Sequence, residues 1–268
     1  MNELVTRRAV LGSLTACTCC LAGLPGAFAA EPSPGSKKPA AAHGPHWSYN
    51  GAEGPEHWGE LSADFRSCQL GVEQTPIDLN GGVKAQFDKP FQLDYKAVAG
   101  QIVNNGHTIQ INTEKGCSCS IEGTAYELAQ FHFHHPSEHL LSGKALQMEA
   151  HFVHKSQSGA IAVIGVFIRE GAPNALLAPV FDGMPKKEGD THALAALDPA
   201  GLFANARGYY RYMGSLTTPP CSEGLTWTVF KDPVEASKEQ IGKFAALFPN
   251  NARPVQKRNH RFLLDSSF

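Results

Sequence analysis

Ala160-Ile161-Ala162-Val163-Ile164-Gly165-Val166-Phe167-Ile168 runs without a single polar side chain. A strand puts successive side chains on opposite faces, so an unbroken apolar run predicts a long central strand buried on both sides. Around it lie further short β-branched or aromatic segments bounded by Gly, Pro or Asn: 101–104, 108–112, 129–134, 147–154 and 225–230. Helical periodicity is sparser. The best case is Ala236 to Phe248, where Ile241, Phe244, Ala245 and Phe248 recur at helical spacing before Pro249-Asn250-Asn251. The pattern predicts a β-dominated (α+β) fold, one domain over 46–268, with helices at the periphery.

The rest of the chain fits a globular protein. It has 268 residues, 42% hydrophobic and 18% charged, with a formal charge of −2. That balance, with no basic stripe, argues against nucleic-acid binding. Arg7-Arg8, the apolar stretch Ala9 to Leu24 and the small residues Ala27-Phe28-Ala29 read as an export signal over 1–30, of the twin-arginine type. The alternative is a lipoprotein anchored through Cys17, because Leu14-Thr15-Ala16-Cys17 resembles a lipobox. Loss of Glu3, Arg7 and Arg8 with the signal takes the net charge from −2 to −3. Residues 31–45, rich in Pro, Ala and Gly, read as a flexible leader. The expected location is therefore the periplasm. Of the seven cysteines, Cys68, Cys117, Cys119 and Cys221 remain beyond the signal, where disulfides persist. Spacing alone leaves their pairing open.

Chemistry enters at Gln130-Phe131-His132-Phe133-His134. On a strand, Gln130, His132 and His134 share one face while Phe131 and Phe133 take the other. Glu149-Ala150-His151-Phe152-Val153 repeats the device. If the two strands are neighbours, His132, His134 and His151 form a three-imidazole set with a fourth position open, the arrangement of a catalytic zinc. Gln130 and Glu149 are placed to accept the remaining imidazole N–H groups. His135, His139 and His154 lie out of step with that face or beyond Pro136, so structural hydrogen bonding is expected of them.

In order along the chain stand Trp47-Ser-Tyr49, Gly54-Pro-Glu-His-Trp58, Gln74-Thr-Pro-Ile-Asp78, Asn104-Asn-Gly-His107, Gln130-Phe-His-Phe-His134, Pro136-Ser-Glu-His139, Glu149-Ala-His151, Leu216-Thr-Thr-Pro-Pro220, Thr226-Trp227 and Asn251-Ala-Arg-Pro254. This series resembles the α-class carbonic anhydrases over nearly the whole mature chain. The resemblance implies a large, mainly antiparallel twisted sheet with zinc at the base of a conical cleft. It implies a zinc lyase that reversibly hydrates carbon dioxide to bicarbonate and a proton by attack of hydroxide carried on Zn2+. His132, His134 and His151 would bind the metal. Thr217 would pass its proton toward Glu138 and so orient the hydroxide, and His107 would shuttle the released proton. Tyr49, Asn104 and Thr218 match the positions that hold water between metal and shuttle. Val153, Val163, Leu216, Leu225 and Trp227 match the apolar wall for carbon dioxide. Cys68 and Cys221 match a disulfide pair, leaving Cys117 and Cys119 outside the pattern. Gln110 replaces a common cleft asparagine, and His135 a common tryptophan. Anions and sulfonamide-type inhibitors are implied ligands, and a homodimer is expected by analogy with bacterial members. Two rivals remain at this stage. One is a zinc-free, carbonic-anhydrase-related recognition module. The other is a cupin-type metalloprotein, since His132-x-His134-xxx-Glu138-xxxx-Gly143 approximates the first cupin motif, although the partner motif is missing before His151.

Overall fold

The computed structural model describes residues 45–267 apart from Pro90 and residues 204–207. The expected export signal, the lipobox and all but the last residue of the leader lie outside the described residues. Residues 43–268 cluster as one unit. Among the described residues, no helix is long and apolar enough to cross a membrane.

The run that opened the sequence reading forms a strand over Ile161–Glu170. It sits inside a 13-stranded sheet. On one side it pairs antiparallel with Met148–Lys155, which pairs antiparallel with Thr124–His134. On the other it runs parallel to Glu223–Phe230, which is followed by Gly208–Ser215. The sheet is mixed, with antiparallel pairs in the majority, as expected. The helices are short and lie outside it.

Period-2 alternation divides the core. Phe131, Phe133, Ala150, Phe152, Ala162, Ile164, Val166 and Ile168 join the larger cluster on one face. Val153, Val163, Phe167, Leu225, Trp227 and Val229 join a second cluster on the other. Both faces are thus covered, which is why the central strand carries no polar side chain until Arg169.

The predicted C-terminal helix forms over Lys238–Leu247, capped by Ser237 and Gln240 in a reciprocal capping box. It starts two residues later than the sequence suggested. Val234–Ala236 is instead a short strand beside the central one, with Ile168 opposite Val234. The helix seats Phe244 on the larger core, its ring 6.1 Å from that of Phe133. Two long strands were not anticipated, Thr191–Leu197 and Gly208–Ser215. The first reads Thr-His-Ala-Leu-Ala-Ala-Leu, a helix-favouring composition, and its pairing with Val98–Asn104 overrides that propensity.

Candidate active site

Strand register builds the site. His132 lies directly opposite His151, and Gln130 opposite Val153. Alternation then brings His134 onto the same face two residues on. The three rings converge with centroids 5.0 Å (His132 to His134), 5.4 Å (His132 to His151) and 4.5 Å (His134 to His151) apart. One ring nitrogen from each fits within a 4.8 Å group.

The other nitrogen of each ring is already spoken for. His132 Nδ1 is 2.8 Å from Gln130 Oε1, and His134 Nδ1 is 2.8 Å from the backbone carbonyl of Asn251. His151 Nε2 is 3.0 Å from Glu149 Oε1, an ion-pair approach that does not count as a hydrogen bond. These acceptors fix which nitrogen faces the centre: Nε2 of His132, Nε2 of His134 and Nδ1 of His151. His134 Nε2 and Glu138 Oε2 are buried with no hydrogen-bond partner, 3.5 Å apart. Orphaned buried polar atoms that converge call for a shared partner.

Electrostatics point the same way. Burial first, then the neighbouring imidazoles, holds His132 well below the ordinary histidine range. Burial takes His134 down to about 4 and lowers His151 as well. Neutral imidazoles are the form that coordinates a metal. Three such donors, one open side at the half-exposed His132 and no thiolate fit a zinc ion. A second grouping, His139 with Glu149 and His151, also meets the distance test. It offers no free donor on His139, whose Nδ1 is 2.7 Å from Glu149 and whose Nε2 is 2.6 Å from the Tyr212 hydroxyl.

Two carboxylates lie beneath the trio. Burial pushes Glu149 up, but His139 and His151 outweigh it and hold the carboxyl well below the usual range. Its Oε2 also accepts the backbone N–H groups of Glu138 and His139. Glu138 is raised to about 7, by burial above all, against the pull of His151, the backbone N–H of Arg253 and the Thr217 hydroxyl. Arg253 N–H reaches Glu138 Oε1 at 2.8 Å. Thr217 lies near enough to Glu138 for its hydroxyl to lower that pKa.

The Thr217 turn is braced from outside. Leu216 N–H bonds Ser222 O, and Cys221 N–H bonds Thr218 O. Cys221 is bonded to Cys68, 153 residues away in sequence, while Cys117 and Cys119 are free and buried. Gln74 donates to Cys221 O, and Arg253 bonds Gln74, Thr75 O and Cys68 O.

Val153, Val163, Leu225 and Trp227, with Leu216 against them, fall in one apolar cluster. The Trp227 ring packs 4.8 Å from that of His151. His107 is half-buried in a turn, its ring stacked on Trp47 at 3.7 Å. Burial lowers its pKa, with Glu188 opposing. Tyr49 is close enough to Glu138 for that carboxylate to raise its pKa, after burial itself. Asn104 corrects the sequence reading. It is 4% exposed, and its amide is committed to Pro185 O and Gly106 N–H. The open amide is the next one, Asn105, whose Nδ2 meets Gln110 Oε1, and Gln110 lies opposite His132. Sequence reasoning also assigned no role to Asn251 or Arg253, although their motif was visible. A backbone carbonyl or N–H leaves no residue-type signal.

His135, His139 and His154 each bond elsewhere, His135 to Pro249 O and His154 to the Tyr95 hydroxyl. The cupin alternative fails on topology, because a 13-stranded sheet stands where a cupin has a double-sheet jelly roll.

Comparison with known proteins agrees with this geometry. Residues 53–267 match the family model described as eukaryotic-type carbonic anhydrase. A carbonic anhydrase of Nostoc is 44% identical over 234 residues, covering 85% of this chain and 89% of the relative. The α-carbonic anhydrase of Thermovibrio ammonificans, solved with the inhibitor sulfanilamide, superposes with a TM-score of 0.80 at 46% identity, covering 83% of this chain and all of that one. Dioscorin, solved with ascorbate, has a TM-score of 0.78 at 33% identity, covering 83% and 98%. From the register of its histidine strands to the match along its length, this chain belongs to the eukaryotic-type, or α-class, carbonic anhydrases and is an enzyme of that family.

Proposed function

We propose that the chain is a zinc-dependent enzyme that interconverts carbon dioxide and bicarbonate, with His132, His134 and His151 as the metal ligands. The carrying observation is the convergence of three neutral imidazole donors whose outward nitrogens each meet a separate acceptor. When bound, zinc acts as a Lewis acid that brings the pKa of a coordinated water to about 7.

The chain's own groups supply direction and exit. Thr217, near Glu138, would donate its hydroxyl proton toward that carboxylate and so present a lone pair to the open side of the site. Its backbone N–H is the candidate contact for bound anions. The wall of Val153, Val163, Leu216, Leu225 and Trp227 offers an apolar surface to an apolar substrate and excludes water there. His107 carries the released proton, an imidazole being the side chain whose unperturbed pKa lies nearest neutrality, although burial lowers this one. Tyr49, Asn105, Gln110 and Thr218 line the way as water-holding groups.

The chain is exported to the periplasm through its twin-arginine signal. A sulfonamide anion should compete at the metal, as the sulfanilamide complex of the Thermovibrio relative suggests. The decisive experiment is stopped-flow hydration of carbon dioxide by metal-replete protein, with His151→Ala and His107→Ala. Both variants should slow, and imidazole buffer should rescue only His107→Ala. Protein that binds no zinc and hydrates carbon dioxide no faster than buffer would leave the chain a zinc-free recognition module instead, and a catalysed rate untouched by His151→Ala would remove that residue from the ligand set.

A further inference from the structure

Asn251, 1% exposed, ties three parts of the chain together. Its Oδ1 accepts the N–H of His135 at 2.8 Å, and its backbone N–H donates to His135 O at 3.0 Å. Its Nδ2 donates to two carbonyls at once, Phe133 O at 3.0 Å and His107 O at 3.0 Å. Separately, its backbone carbonyl receives His134 Nδ1.

The turn that carries His107 is anchored on its N-terminal side through Asn104, which bonds Pro185 O, Asp190 O and Gly189 N–H, and is shaped by short-range bonds. Asn104 Oδ1 accepts Gly106 N–H, and Asn105 Oδ1 accepts the N–H groups of His107 and Thr108. Those bonds shape the turn but do not say where it sits against the histidine strand. The strand that follows the turn is registered on the histidine strand with Gln110 opposite His132, and at the turn itself Phe133 O receives both Thr108 Oγ1 at 2.5 Å and Asn251 Nδ2. Only an amide meets this geometry, because it presents an acceptor and two donors from one buried group.

We propose that Asn251 is a positioning residue for proton exit: its side chain fixes the His107 backbone against the strand that bears His132 and His134. Its carbonyl orients His134 at the same time, so one residue sets the spacing between the metal centre and the proton carrier. The proposal rests on the shuttle role of His107.

The test uses the zinc-replete mature chain with Asn251→Ala, which keeps the backbone carbonyl on His134 and removes only the amide. In weakly buffered solution kcat should fall about fivefold to tenfold, the scale of one to two ordinary hydrogen bonds, with kcat/KM nearly unchanged. Concentrated imidazole should restore kcat. In a His107→Ala background the same substitution should cost nothing further. A second readout needs no turnover. In the metal-free protein, the His107 Cε1–H resonance, shifted by the Trp47 ring stacked on it, should move toward its free value in Asn251→Ala. Should that variant fail to fold, Asn251→Asp retains the acceptor for His135, loses both donors and should show the same split. Equal losses in kcat and kcat/KM without imidazole rescue, additivity with His107→Ala, or an unmoved His107 resonance would overturn the proposal. A slow His107→Ala beside a normal Asn251→Ala would reject only the positioning role. A His107→Ala enzyme at full rate in weak buffer would reject the shuttle itself.

Discussion

Gly165 sits on the central strand directly opposite His151. A Cβ added there would lie 2.9 Å from Glu149 Oε1 and 3.2 Å from both Val229 methyls. Real Cβ atoms do not approach an oxygen that closely, so in Gly165→Ala the carboxylate must retreat by roughly half an ångström. Glu149 Oε1 is the atom that meets His139 Nδ1 at 2.7 Å and His151 Nε2 at 3.0 Å. The substitution therefore perturbs no ligand but loosens the support of one. Loss of such outer support costs about 10- to 100-fold in metal affinity, or about 1.4 to 2.7 kcal/mol. Alanine is otherwise favoured over glycine in a strand by about 0.5 to 1 kcal/mol, which offsets part of the roughly 1 to 3 kcal/mol of overpacking against Val229 and Glu149 in the metal-free protein. Zinc affinity measured by competition with a chelator, beside urea denaturation of the metal-free forms, separates the two effects. Wild-type zinc affinity in a folded Gly165→Ala protein would refute the argument that Glu149 governs His151.

Further outcomes follow from the same structure. Opening the Cys68–Cys221 bond with paired alanines should lower stability by about 5 kcal/mol, the chain-entropy value for a loop of 153 residues; urea midpoints with and without reductant measure it, and a shift below 1 kcal/mol would contradict the estimate. Burial takes His154 from 6.5 to about 4. The unfolded chain therefore binds a proton between those values that the folded chain refuses. That histidine should remove on the order of 3 kcal/mol of stability as pH falls from 6.5 to 4, and His154→Phe should flatten the pH dependence in urea titrations across that window. Truncation of the fully buried Phe244, which seats the C-terminal helix on Phe133 and Phe181, should cost about 3 to 5 kcal/mol by thermal or urea unfolding. Removing zinc with a chelator should lower Tm in the wild type and leave Tm unchanged in a His132→Ala, His151→Ala variant.

The sequence by itself determined the element that organises the molecule and the residues to which its chemistry is assigned. An apolar run free of polar side chains must be buried on both faces, so 160–168 announced a central strand. The alternation Gln130, His132, His134 and Glu149, His151, Val153 assigned faces because a strand has a period of two whatever surrounds it. Only the tertiary structure decided that these strands are neighbours in the register that sets His132 opposite His151. It also decided that Cys68 pairs with Cys221, and that Thr191–Leu197 is a strand despite its alanines and leucines. The supports of the site stayed hidden for a related reason. The carbonyl of Asn251 on His134 and the N–H of Arg253 on Glu138 are backbone groups that every residue carries. Asn104 and Asn105 are chemically alike and adjacent, and only packing buries one and leaves the other open. Residue type and periodicity travel with the chain, whereas a partner brought from more than a hundred residues away is fixed only when the sheet closes around it.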